Sequence, residues 1–171
     1  MQKKDCIPIK CCRLCNSKKL DGVFQIGNTP LANSYCNKNI SKKLKRYPLG
    51  LNLCNACGHL QLTHSIKPTK MFSNYLYKTN TSYKNYLHFK NYAKEIDKIF
   101  KKKTGKILDI ASNDGTFLSF FDKKKNLRVG IDTAKNLKRI ALDKGIFQID
   151  DFFTKKSSNA LKKKYQKFDI I

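Results

Sequence analysis

Two Cys-x-x-C pairs, Cys12-Arg13-Leu14-Cys15 and Cys54-Asn55-Ala56-Cys57, constrain this chain more than any other feature. Two residues between thiolates let a tight turn aim both sulfurs at one ion, and two such turns complete a tetrahedral four-thiolate zinc site. Gly58 follows the second pair directly and suits the positive φ such a turn often needs. The 38 residues between the pairs exceed the usual zinc-ribbon gap of about 15 to 20, so that stretch must carry structure of its own. A redox Cys-x-x-C opens a helix after a strand, a context neither pair has. Cys12, Cys15, Cys54 and Cys57 are therefore the expected metal ligands. Cys6, Cys11 and Cys36 fall outside the spacing and read as spectators. His59 and His64 read as surface or packing histidines, because four thiolates already close a structural site.

The surroundings divide the chain into three zones. Residues 1–70 hold all seven cysteines and all four prolines, with short strand-like runs at Gly22–Ile26 and Leu60–Leu62. That is a small loop-rich zinc-binding module in need of a staple. Residues 71–105 form a helical connector: Tyr86, Phe89, Ala93, Ile96 and Phe100 recur at helical steps, with Ser82 as N-cap. Residues 106–171 alternate strand and helix. Strands are expected at Lys106–Ile110, Leu127–Asp132, Phe147–Ile149 and from Phe168. Helices are expected at Thr116–Phe121, around Ala134–Ala141 with Gly145 as the stop, and at Ser158–Lys164. This alternation means right-handed βαβ units on a parallel sheet, so the fold class is α/β behind a zinc module.

The segment Ile107 to Thr116 reads as a strand, a tight loop of small residues and a helix start whose free amides face a ligand. It lacks the G-K-[ST] of a P-loop, and Ala111 stands where a G-x-G-x-x-G motif would have its first glycine. Asp132 ends the next strand, 23 residues after Asp109, where an acid would hold ribose hydroxyls. Asp150-Asp151 follows the third strand, with Phe152 and Phe153 able to pack on a base. Helix capping would explain Asp132 and Asp150 equally well in residue type. Taken together, the three strand ends favour a nucleoside cofactor.

The net charge of +24, from 36 basic and 12 acidic residues, invites a nucleic-acid reading. Only four of the basic residues are Arg, the side chain that reads phosphate and guanine bidentately. The lysines are scattered, and with fifteen Asn and fifteen Ile they fit a composition biased to A/T-rich codons. Clusters such as Lys101-Lys102-Lys103 and Lys123-Lys124-Lys125 are expected near element ends. No run approaches the ~20 apolar residues of a membrane helix, and Met1–Lys10 has no apolar core of a secretory signal. A cytoplasmic protein with reduced cysteines is expected, with no membrane or nucleic-acid partner.

In order along the chain, the matching segments are Cys12–Cys15, Gly27–Asn33, Tyr47–Leu49, Cys54–Leu62, Tyr75–Tyr77 with Ser82 and His88-Phe89, Leu108–Thr116, Gly130–Ala134 and Asp151–Phe153. In these the chain resembles the S-adenosylmethionine-dependent C-methyltransferases of deoxysugar biosynthesis, which carry an N-terminal zinc-binding domain. The resemblance implies zinc, S-adenosylmethionine and the first half of a class I (Rossmann-like) methyltransferase sheet. It implies Asp109, Ala111, Ser112, Asn113 and Gly115 around the methionine part, Asp132 on the ribose, and Asp151 with Phe152 at the adenine. Tyr75 and Tyr77 would approach the active site. The substrate it implies is a nucleotide-linked deoxy-keto-sugar. Family members continue well beyond this length, so the chain is expected to be a truncated portion without the catalytic bases, and no catalytic residue is assigned. Self-association, or pairing with a separately encoded C-terminal half, is the expected consequence. A zinc-containing RNA methyltransferase and a non-catalytic zinc-bearing interaction module are the alternatives.

Overall fold

The structure, a computed structural model, describes residues 5–41, 43–100 and 104–171; the lysine cluster Lys101–Lys103 lies outside them. Two compact units are present, residues 1–71 and 72–171. No helix of the described residues is long and apolar enough to cross a membrane.

In the first unit β1 (Cys6–Pro8) and β2 (Leu20–Thr29) precede a one-turn α1 (Lys38–Ser41), followed by β3 (Tyr47–Cys54), β4 (Leu60–Leu62), β5 (His64–Ile66) and α2 (Pro68–Phe72). Strands β2, β3 and β4 make an antiparallel sheet, and β1 pairs with β5. β2 slips register between Gly22 and Phe24 and again between Gln25 and Gly27. Among the described residues the buried apolar side chains of this unit are Tyr47 and two cysteines, Cys12 and Cys54. The strand runs foreseen at Gly22–Ile26 and Leu60–Leu62 are present, the first as part of a longer strand.

The second unit opens on a 3₁₀ turn at Thr79–Thr81 and α3 (Tyr83–Ile99), capped by the Ser82 side chain accepting from the Asn85 amide. Then follow β6 (Gly105–Ile110), α4 (Thr116–Ser119), β7 (Asn126–Asp132), α5 (Lys135–Asp143), β8 (Phe147–Asp150) and α6 (Lys155–Tyr165). The three strands are parallel in the order β6-β7-β8. The helical segment is no mere connector: Ala93 of α3 joins Ile107, Leu118, Phe121, Ala141 and Ile146 in one core cluster. Leu108, Val129, Ile131, Leu161 and Tyr165 form the cluster involving α6. Adjacent residues Ile107 and Leu108 point to opposite faces of the sheet, so the sheet is covered on both sides.

The expected strands β6, β7 and β8 shift by one residue at one end, and three other elements differ more from the sequence reading. α4 ends at Ser119 because the Phe120 and Phe121 amides bond to residues three back, closing the helix in a tightened turn. α6 starts at Lys155, earlier than Ser158, because Thr154 and Ser157 form a capping box. The expected fourth strand is a single parallel bridge, Ile170 to Ile107. That bridge lies beside β6, on the opposite edge from β7, so the chain reverses its order of addition at β6. Ligands of α/β sheets bind at the carboxyl ends of strands beside such a switch point.

Arg128 on β7 fastens the helix ends to this sheet. Its buried guanidinium donates to the carbonyls of Leu118, Phe121, Lys144 and Gly145 at 3.0 to 3.5 Å. Leu118 lies in the last turn of α4, and the other three carbonyls follow the C-terminal ends of α4 and α5, so one side chain ties both helix ends to the strand. Arg128→Met keeps the apolar stem and strands the carbonyls. It should cost about 2 to 4 kcal/mol in urea denaturation, measured as a lower midpoint with unchanged slope.

Candidate functional sites

The metal centre is built by two matching turns. The Cys12 amide donates to the Ser17 carbonyl at 2.7 Å and the Asn16 amide to the Cys12 carbonyl at 2.9 Å. In the second turn the Cys54 amide donates to His59 at 2.9 Å and the Gly58 amide to Cys54 at 2.8 Å. The pattern is the same, and the fourth position after each leading cysteine has positive φ: 61° at Asn16 and 72° at Gly58. Asparagine tolerates that region better than other side-chain-bearing residues, a point the motif Cys-x-x-C-Asn carried but did not announce.

All four sulfurs lie within 4.8 Å of one another. Cys12 to Cys57 and Cys15 to Cys54 are each 3.7 Å apart. A zinc ion with 2.3 Å bonds to sulfur has tetrahedral edges of about 3.8 Å, so the donor set fits zinc in kind and in spacing. Without a cation the thiols work against one another. Burial pushes Cys54 up, but the amides of Ala56 and Cys57 with the thiols of Cys15 and Cys57 bring it down to about 7. At Cys57 the His59 amide pulls down, while Cys15, desolvation, Cys12 and Cys54 push up more strongly, to about 12. A divalent ion removes this conflict by stabilising all four thiolates at once.

Gln61 was not foreseen. Its buried carboxamide accepts from the Arg13 amide at 2.9 Å and donates to the Cys11 carbonyl at 3.2 Å, tying β4 to the first turn. Elemental analysis should give about one zinc per chain from this four-ligand set. Cys54→Ser should lose the ion and open residues 12–66 to protease. Gln61→Ala keeps the thiolates and should weaken zinc roughly tenfold, the low end for outer-shell partners.

The second site lies in the other unit, at the carboxyl ends of the parallel strands. A cavity of about 380 Å³ is lined by Phe72, Tyr75, Ile110, Ala111, Asn113, Ile131, Asp132, Thr133, Asp151, Phe152 and Phe153. Of the residues expected to bind cofactor, Ala111, Asn113, Asp132, Asp151 and Phe152 are brought together here. Ser112 is turned inward, its hydroxyl donating to Gln148 at 3.1 Å. Gly115 sits behind the loop at φ 72°, where a Cβ would lie 2.5 Å from Ile146. Asp109 is not among the lining residues. Ala111 and Asn113 take positive φ, 63° and 51°, which folds the loop back across β7.

Asp132 braces that loop. One carboxylate oxygen accepts from the Asn113 amide and the other from the Ala134 amide, each at 2.8 Å. Helix capping does not account for it, since α5 begins after Ala134 with no side-chain cap; nor does Asp150 cap α6, whose cap is Thr154. Each Asp132 oxygen retains acceptor capacity for a ligand hydroxyl. Asp114, absent from the sequence-based set, is buried, accepts from the Thr116 and Asn80 amides and pairs with Lys144 at 3.5 Å.

Four of the chain's twelve acids, Asp109, Asp132, Asp150 and Asp151, stand at or beside these strand ends. Asp109 shows the resulting strain: burial, then the Asp132 charge, raises its carboxyl to about 6. A raised folded-state value means stability is fullest below pH 4, where Asp109 is protonated folded or unfolded, and is lost as pH rises through about 6. Asp109→Asn should therefore stabilise the second unit by up to about 3 kcal/mol at pH 7. That advantage should vanish near pH 4 in paired thermal melts.

A four-cysteine module is thus joined to an α/β unit whose pocket is lined by acids and aromatics. Residues 12–72 match the protein family described as "Putative zinc binding domain". Over 149 residues the chain is 28% identical to the C-methyltransferase NovU of Streptomyces niveus, which covers 86% of this chain and 36% of that protein. The chain therefore spans about a third of that relative's length and aligns within it. The family match covers the four cysteines, and the alignment with NovU gives the chain its resemblance to a methyltransferase.

Proposed function

We propose that this chain is the zinc-bearing and S-adenosylmethionine-binding portion of a methyltransferase that alkylates a carbon of a nucleotide-linked deoxy-keto-sugar. The observation that supports this best is the pocket at the switch point, with Asp132 and Asp151 on successive strand ends and Phe152 beside them. Asp132 would take the ribose hydroxyls, and Phe152 and Asp151 would border the adenine. Ala111 and Asn113 would present backbone to the methionine part, where a side chain larger than Ala would intrude. The bound cofactor supplies an electrophilic methyl group on a sulfonium. The acids suit that cation: in a chain of net charge +24 they make a local field of opposite sign, which focuses a positively charged ligand. Asp109 acts at one remove, adding negative potential beneath the loop.

The carbon next to a sugar carbonyl is acidic enough to be deprotonated to an enolate, the nucleophile that C-methylation requires. The name of the relative NovU supports carbon as the acceptor. The zinc module has no open coordination position once four thiolates are bound, so its role is to hold residues 12–66 in shape.

Titration calorimetry of the 171-residue chain should detect S-adenosylmethionine binding. Asp132→Ala should weaken it about ten- to a hundredfold, as expected for a carboxylate holding two hydroxyls at roughly 1.5 to 3 kcal/mol. No binding by the wild-type chain at millimolar ligand overturns the reading. Labelled methyl transfer to RNA rather than to nucleotide-linked keto-sugars overturns the substrate class.

A further inference from the structure

Residues 72–81 run across the carboxyl end of the parallel sheet and are fastened at two places. At one end the Thr133 hydroxyl donates to the Phe72 carbonyl at 3.2 Å and the Lys135 amide to the Ser73 carbonyl at 3.1 Å. The Asn136 carboxamide pairs with the backbone of Tyr75: its Oδ1 accepts from the Tyr75 amide at 3.0 Å and its Nδ2 donates to the Tyr75 carbonyl at 2.9 Å. At the other end Asn113 Oδ1 accepts from the Thr79 amide and hydroxyl, and its Nδ2 donates to the Tyr77 carbonyl at 3.1 Å. The Asn80 amide reaches Asp114 at 3.4 Å.

The chain between these anchors carries an aromatic row. The Tyr75 ring lies 6.2 Å from that of Phe72 and 6.4 Å from that of Tyr77. Phe72 and Tyr75 line the cavity that Phe152 and Phe153 also line. α5 needs this partner: its cap position is Ala134, whose methyl side chain cannot accept a hydrogen bond, and the Ser73 carbonyl takes up one of its orphan amides.

We propose that residues 72–81 are a fixed strap over the pocket and that Asn136 is a positioning residue for ligand binding, setting Tyr75 as a wall of the site. A two-bond carboxamide clamp on one residue's backbone copies a β-bridge, so it fixes both the height and the direction of the Tyr75 side chain. The proposal rests on the pocket holding S-adenosylmethionine, and the strap itself is tested without ligand.

Amide exchange read by mass spectrometry should show residues 72–81 protected in the wild-type chain and exposed in Asn136→Ala, with β6–β8 unchanged. Asn136 is an exposed position, so its truncation leaves no core cavity. In calorimetry Asn136→Ala should weaken S-adenosylmethionine roughly three- to tenfold, the conversion of one or two exposed neutral hydrogen bonds. Asn136→Asp, which keeps the acceptor and loses the donor, should fall between. Because Asn136 acts through Tyr75, adding Asn136→Ala to Tyr75→Ala should cost nothing further. Equal affinity and equal exchange in Asn136→Ala overturn the proposal, as does full additivity with Tyr75→Ala. If the wild-type chain binds no S-adenosylmethionine, the pocket reading fails, and exchange alone then supports the strap or, if unchanged, overturns it.

Discussion

Four sulfurs brought to one point do for the first unit what a hydrophobic core does for the second. Tyr47 is the one large apolar side chain buried there among the described residues, while Val23, Phe24, Ile26, Leu60 and Leu62 of its sheet are half exposed. Burial of one aromatic contributes a few kcal/mol at best, far too little to offset the ordering of some sixty residues. Metal binding supplies folding free energy directly in such modules. The two turns with their matching hydrogen bonds, and Gln61 bridging β4 to the first of them, make sense as supports for that one centre.

In the second unit the corresponding constraint is the Asp132 carboxylate. It accepts one amide from the loop after β6 and one from the entrance to α5, so it joins the two elements on which the strap is anchored. The Asp109 carboxyl nearby is raised chiefly by its burial and secondarily by the Asp132 charge. Sites that gather acids beside a ligand characteristically carry such perturbed groups.

Much of this was legible in the residues. The spacing of Cys12, Cys15, Cys54 and Cys57 specified the tetrahedral cluster because a two-residue spacer leaves a turn little choice of geometry. Ser82, the apolar stripe that follows it, and Gly145 at φ 72° marked helix ends through local chemistry alone. Asp132 was legible as an acid at a strand end but not as a brace. Its two amide partners come from Asn113, nineteen residues earlier, and from Ala134, and only the loop's positive-φ turn brings them together. Ser112 and Gly115 are not among the residues lining the cavity, because the loop that exposes Ala111 and Asn113 turns the Ser112 hydroxyl inward to Gln148.

Sequence by itself determined the chemistry: which atoms can hold a metal, which strand ends carry acids, and that strands and helices alternate after residue 105. These follow from spacing and periodicity, which act over a few residues. Tertiary structure alone decided what those groups touch. Gln61 became a brace for the metal turns, Arg128 a clasp for two helix ends, and Asn136 a clamp on a backbone sixty-one residues away. Each of these is a polar side chain with no local signature, whose partner is a distant main-chain group freed by the end of an element or by a loop. Such pairings depend on where the sheet and helices bring the chain, and no short-range pattern records it.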